Sequence, residues 1–204
     1  MAAKTAVHPV PDAEMKAKTG KTWDQWFKVL DDFGGPPKGR REIGNFLHDT
    51  HKVDPAITAM INVEYEAARG VVEKDGRPKG YMICATKTVA ATPAKAYELF
   101  ATGSSWTKWF AKGCKVELSE GGKYSSGEGH TGEIKKVRPA KAIKLTWDHP
   151  KLAPGTIVEV TFQPKGEKCT VMAGHDRIQT KAEADALRES WGAAFERLKA
   201  LLEK

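Results

Sequence analysis

The stretch Thr180–Lys204 constrains this chain most. Its apolar residues, Ala184, Leu187, Trp191, Ala194, Phe195, Leu198, Leu201 and Leu202, recur at steps of three and four, which is one apolar stripe on an α-helix. Glu183, Asp185, Arg188, Glu189, Glu196, Arg197 and Lys199 fill the opposite face. Thr180 and Glu183 have the spacing of a capping box, in which each side chain bonds the other's backbone N–H. About 23 residues of helix span roughly 34 Å. A helix that long with one apolar stripe needs an extended apolar surface to cover it. Gly192 beside Trp191 costs about 1 kcal/mol against alanine in mid-helix, and predicts close approach of another element there.

The surface lies upstream. Tyr81 to Ala90 reads as a strand, Thr92-Pro93 caps a short helix ended by Gly103, and Ser104 to Lys112 reads as a second short helix. Six strand candidates follow: Cys114–Leu118, Lys123–Ser126, Thr131–Arg138, Ala142–Asp148, Gly155–Gln163 and Lys168–Arg177, separated by glycine and proline turns. Three of them alternate cleanly. Ile143, Leu145 and Trp147 share a face, as do Val158, Val160 and Phe162, and Cys169, Val171, Ala173 and His175. Alternation of this kind predicts an antiparallel sheet with one apolar face, covered by the C-terminal helix. The fold class is therefore α+β.

Residues before this region have a different texture. Residues 1–11 carry two prolines and little pattern, and read as a loose tail. Asp12 to Lys18 is a short helix candidate. Thr22-x-x-Gln25 caps a firmer one with Trp23, Trp26, Phe27, Leu30 and Phe33 on one face, stopped by Gly34-Gly35-Pro36-Pro37. A further helix is expected over 39–50. Another opens at Asp54-Pro55, with Ile57, Met60, Ile61, Tyr65 and Ala68 as its stripe, and stops at Gly70. Residues 12–70 thus read as a small all-α domain, 71–80 as a linker or exposed hairpin, and 81–204 as a second domain.

Charge and cysteine content exclude several roles. Residues 1–80 hold 13 Lys and Arg against 12 Asp and Glu, and residues 81–204 hold 20 against 14. The excess is spread along strands and loops, so it reads as a solvated surface and not as a nucleic-acid footprint. No apolar run reaches the length of a membrane span, and the N-terminus lacks a signal-peptide core. Three cysteines, Cys84, Cys114 and Cys169, without C-x-x-C spacing, are expected as reduced thiols of a cytoplasmic protein.

Motifs with chemical meaning are few. Gly20-Lys21-Thr22 has the letters that end a phosphate-binding loop, but position 15 is Met15 and no strand precedes it, so Thr22 reads as a helix cap. Gly127-x-Gly129-x-x-Gly132 matches a dinucleotide fingerprint. The residues after it alternate like a strand, however, and a glycine-rich hairpin is the better reading. His48, His51, His130, His149 and His175 show no ligand spacing with the cysteines, so no metal and no cofactor is expected. No nucleophile–base motif indicates an enzyme.

The element order resembles the helix-grip fold of the START-like or SRPBCC superfamily, in particular the activator-of-Hsp90-ATPase-homologue type, over residues 81–204. The matching residues are Val89-x-Ala91-x-Pro93-x-Lys95-x-Tyr97, Trp106-x-x-Trp109-Phe110, Gly132-Glu133-Ile134 through Val137-x-Pro139, Leu145-Thr146-Trp147, Thr170 through Gly174-His175, and Glu189-Ser190-Trp191-Gly192. The Gly-x-Gly stretch and the Asp176-Arg177 ending depart from that pattern. Thr19 through Trp23 with Trp26-Phe27, and Tyr65-Glu66-x-Ala68-Arg69-Gly70, are similar to a small helical domain of unknown function found alone and fused to such modules.

The resemblance implies a cavity between sheet and long helix. Trp147, Phe162 and His175 would face it from the sheet and Trp191 from the helix, with Trp109 and Phe110 closing one end. An apolar or amphipathic small molecule is the expected ligand. The alternative that the family implies is a protein-interaction module directed at a chaperone ATPase, without a ligand.

Overall fold

The computed structural model describes residues 8–203. The chain divides into two compact units that meet between Tyr81 and Met82.

The first unit is helical: α1 (Asp12–Thr19), α2 (Trp23–Asp32), α3 (Gly39–Asn45) and α4 (Pro55–Ala68). Thr22 and Gln25 form the capping box of α2, and the Asp54 carboxylate accepts from Ala56 N at the start of α4, ahead of Pro55. The helix expected over 39–50 is α3 extended by one wider π-turn, Phe46–Thr50. Met15, Trp23, Trp26, Leu30, Leu47, Ile61 and Tyr65 fill the core. Buried indoles need acceptors, and they recruit them locally: Trp26 Nε1 donates to Thr19 Oγ1 at 2.8 Å, and Trp23 Nε1 donates to the Val10 carbonyl at 2.9 Å. His8 stacks on Trp23 with ring centroids 4.6 Å apart. The expected loose tail is therefore packed over residues 8–11, because Trp23 needs that carbonyl; the rest of it lies outside the described residues. Residues 71–80 form a short exposed hairpin closed by the Val72–Pro78 bridge.

The second unit contains β1 (Tyr81–Val89), α5 (Pro93–Glu98), α6 (Gly103–Trp109), β2 (Lys115–Val116), β3 (Lys123–Ser125), β4 (Thr131–Arg138), β5 (Ala142–Trp147), β6 (Thr156–Lys165), β7 (Lys168–Ile178) and α7 (Lys181–Leu202). One seven-stranded sheet has the order β1-β7-β6-β5-β4-β3-β2, and its pairings from β2 through β7 are antiparallel. The two short helices interrupt the chain between β1 and β2, which places those strands at opposite edges. The sheet then grips α7, whose stripe of Ala184, Leu187, Trp191, Ala194, Phe195, Leu198 and Leu202 is buried. Val158, Val160 and Phe162 of β6 and Cys169, Val171, Ala173 and His175 of β7 are buried in strict alternation, as the sequence pattern predicts. This is the α+β helix-grip architecture.

Two glycine expectations fail. Gly103 does not end α5; it opens α6, because the Thr102 side chain caps Ser105 N. A Cβ at Gly103 would stand 2.3 Å from the Cys114 carbonyl oxygen, so only glycine lets that loop cross the helix start. Gly192, by contrast, touches nothing: a Cβ there would have no neighbour within 4 Å, so the expected close approach beside Trp191 is absent.

Candidate functional site

Four aromatic residues meet where the start of β4, the end of β5 and the middle of α7 converge. Trp147 comes from β5, Trp191 from α7, Phe110 from the end of α6 and His130 from the loop between β3 and β4. Ring centroids are 5.2 Å apart for Trp147–Trp191, 5.1 Å for Phe110–Trp147 and 5.1 Å for His130–Trp147. Such separations suit tilted and edge-on packing. The rings do not close completely. A cavity of about 180 Å³ remains, walled by Phe110, His130, Trp147, Leu187, Trp191 and Ala194, with Glu128, Ser190, Ala193 and Arg197 at its rim. A second recess of about 460 Å³ adjoins it, sharing His130, Leu187 and Ser190 and reaching His149, Leu152 and Glu183.

Local sequence explains each wall. Phe110 follows α6 directly, and its carbonyl and that of Trp109 accept from Arg197 of α7, at 3.0 and 2.8 Å. Arg197 thus ties the end of α6 to α7, although the sequence pattern sets it on the solvated face. Its long stem bridges the edge of the stripe while the guanidinium finds orphan carbonyls. His130 is carried by the glycine-rich turn. Gly129 adopts φ +93°, and the turn is fastened by Gly127 N donating to the Lys112 carbonyl and by the Glu128 carboxylate accepting from Lys112 N. The fingerprint-like glycines shape a hairpin that delivers an imidazole.

His175 has a different surrounding. It is fully buried on β7 and does not line the cavity. Its Nδ1 accepts from Trp191 Nε1 at 3.2 Å, which fixes the neutral tautomer with the proton on Nε2. Nε2 then donates to Thr156 Oγ1 at 2.9 Å, and Thr156 donates to the Trp147 carbonyl at 2.6 Å. The chain is saturated from indole to carbonyl. Burial, and secondarily the neighbouring His130, pushes the His175 pKa down from 6.5 to about 3, so the ring is neutral at physiological pH. His130 is likewise lowered, to about 4, first by burial and then by His149.

Of the six residues singled out from sequence, Phe110, Trp147 and Trp191 therefore line the cavity. Trp109, Phe162 and His175 stand behind it. Phe162 packs edge-on against Tyr97 and Phe100, and Trp109 at a tilt against Phe100 and Phe195, so the rings at that end pack on one another. His130, Leu187, Ala194 and Arg197 complete the site. Leu187 and Ala194 belong to the legible apolar stripe of α7, whereas His130 sits in a loop whose fold no periodicity reveals.

The cysteines are free; Cys114 and Cys169 are buried, and burial raises both thiols. Among the described residues no group of His, Cys, Asp and Glu is placed to hold a metal ion, and no helix is long and apolar enough to cross a membrane.

A seven-stranded sheet gripping a long C-terminal helix over an aromatic-walled cavity defines a helix-grip domain. The chain belongs to the Activator of Hsp90 ATPase homolog 1-like protein family, whose model matches residues 90–203. No curated protein matches the chain. Similar solved structures include CalU16 from Micromonospora echinospora, at 17% identity and TM-score 0.55 over 59% of this chain and 75% of that one. An HSP90 activator from Plasmodium falciparum, PFC0360w, matches at 18% identity and TM-score 0.54 over 60% of this chain and 96% of its own. The Aha1 protein of Colwellia psychrerythraea, solved as a dimer, matches at 21% identity and TM-score 0.52 over 60% and 96%. These likenesses establish the fold.

Proposed function

We propose that the protein binds an apolar or amphipathic small molecule between α7 and the sheet. The observation that carries this reading is the aromatic-walled cavity of about 180 Å³. It continues into the recess along the start of α7, so a ligand with one compact end and a longer remainder has room for both. Phe110, Trp147 and Trp191 supply flat apolar contact. Trp109 backs Phe110 and His175 backs Trp147 and Trp191, while Phe162 packs further along on Tyr97 and Phe100.

The test is a titration with a hydrophobic fluorophore and a fatty-acid panel, following tryptophan emission. Ala193 lies at the rim and is exposed, so Ala193→Trp is expected to block entry without overpacking the core. Saturable binding in the wild type that Ala193→Trp abolishes, with unchanged melting, supports the carrier reading. Absence of binding across the panel refutes it.

A second reading follows from family membership: contact with a chaperone ATPase of the Hsp90 class. An HSP90 activator and an Aha1 protein share the fold. Stimulation of Hsp90 ATPase activity by the full chain, unaffected by Ala193→Trp, would favour this reading over a carrier.

A further inference from the structure

The cavity of about 180 Å³ and the recess of about 460 Å³ share three wall residues: His130, Leu187 and Ser190. Residues that border two adjoining spaces stand at the neck between them. Leu187 and Ser190 form one side of that neck, three positions apart on α7, and His130 forms the other. The two sides differ in how they are held. α7 is a 22-residue helix fixed over its buried stripe. The His130 side chain lies against Phe110, Trp147 and His149, with ring centroids 4.9, 5.1 and 4.6 Å away. Its Nδ1 is sealed there without a hydrogen-bond partner. Burying a nitrogen unpaired costs free energy and offsets part of what the ring contacts contribute; swinging the ring outward returns that nitrogen to water. The turn beneath the ring is fastened, with Gly127 N donating to the Lys112 carbonyl at 2.8 Å and His149 Nε2 donating to the Glu128 carbonyl at 3.2 Å. Movement at the neck therefore falls to the His130 side chain.

We propose that His130 sets the size of ligand this site accepts: its ring divides the cavity from the recess, so a compact apolar ligand is held whole within the cavity, and a longer one reaches the recess only by displacing the ring. The inference rests on the ligand-carrier reading above. The volume of the cavity defines what counts as compact. A space of about 150 Å³ admits benzene, so about 180 Å³ holds a single ring with a short substituent. Any further carbon atoms must pass between His130 and the Leu187–Ser190 side of α7. Displacing the ring gives up its contacts with Phe110 and Trp147, and that loss cancels what the added carbons gain on burial. His130 acts here through its bulk and position, as a specificity-determining residue.

The test uses the full chain and a graded series, benzene, ethylbenzene, butylbenzene and hexylbenzene, titrated calorimetrically. Each buried methylene raises affinity about three- to fourfold. Wild-type affinity is expected to rise about tenfold from benzene to ethylbenzene and then to level, within about threefold, up to hexylbenzene. His130→Ala removes the divider and is expected to extend the rise, so that hexylbenzene binds at least about tenfold tighter than ethylbenzene. His130→Phe keeps a ring at the neck and is expected to level as the wild type does. Each protein is compared within its own series, so a general loss of stability neither creates nor removes the break. A His130 that served packing alone would lower every affinity together in His130→Ala and leave the break in place, which overturns the proposal. His130→Phe behaving like His130→Ala overturns the role of ring bulk. A wild-type rise that runs unbroken to hexylbenzene overturns the proposal whether or not the variants fold, and leaves the carrier reading standing. No wild-type binding of any member overturns the proposal and counts against the carrier reading as well.

Discussion

Lowering the pH attacks the fold through His175, and His175→Gln isolates that effect. The folded protein holds this imidazole at about 3, against an ordinary value of 6.5, because burial disfavours the charged ring. The folded value lies below the unfolded one, so the unfolded chain takes up the proton first. The contribution is complete above about pH 6.5, where neither state is protonated. It is lost progressively as pH falls towards 3. Each pH unit in that window costs about 1.4 kcal/mol, so about 2 kcal/mol is gone by pH 5. That is a large share of the roughly 5–15 kcal/mol that holds a domain together. With a urea slope of about 1–3 kcal/mol per molar, the midpoint drops by about 1 M. Urea titrations at several pH values, followed by tryptophan emission, measure this directly. His175→Gln is expected to be less stable at neutral pH by about 1–3 kcal/mol, since Trp191 Nε1 and Thr156 lose ideal partners. Its stability is expected to fall less steeply on acidification. His130 titrates with the same sign in both proteins, so the difference between the two slopes is the quantity that matters. Parallel slopes between pH 6.5 and pH 5 would refute the buried neutral imidazole.

Two further outcomes are expected. Gly192→Ala should stabilise the protein by about 1 kcal/mol in chemical denaturation, because the position is helical and a Cβ there meets nothing; a loss of stability would mean that the glycine serves a contact absent here. We also propose that the two units fold separately, joined at the exposed hairpin of 71–80. Brief trypsin digestion should cut first after Lys74 and leave a stable fragment containing the sheet and α7, whereas first cuts within β4–β7 would place the boundary elsewhere.

Where the periodicity was strong, the fold was legible. The stripe of α7, its Thr180–Glu183 capping box and the alternation of β5, β6 and β7 all describe faces buried on one side, and a face buried on one side writes its period into the sequence. Trp147 and Trp191 were legible as inward residues for the same reason, while Phe110 was expected at the cavity only from the family resemblance. Their separation from Trp109 and Phe162 was not, because which large side chains touch and which leave a gap depends on rotamers and on helix position across the sheet. His130 and Arg197 escaped for other reasons. The imidazole is delivered by a turn with a positive φ at Gly129, and the guanidinium reverses from the solvated face to reach the carbonyls of Trp109 and Phe110. The partners of His175 come from two other elements, β6 and α7, so no local pattern announces them.

The contrast between the two ends of α7 explains why a gap exists at all. Towards its C-terminus, Phe195 meets Trp109, which packs on Phe100, and Phe100 meets Phe162 from β6. Each ring there faces another ring. In the turn and a half before Phe195, α7 presents Ala194, Ala193 and Ser190 towards the cavity, and their small side chains do not fill it. Trp191 is the only large group of that stretch, and the hydrogen bond to His175 holds its indole against the sheet instead of letting it swing into the space. Thr156 and the Trp147 carbonyl extend the restraint to β5, the strand that bears the opposite wall. One polar chain therefore fixes both large walls, Trp147 and Trp191, while its own atoms are fully satisfied. A core selected for packing alone would fill such a space with a leucine from α7; small residues opposite pinned aromatics are what a reserved volume requires.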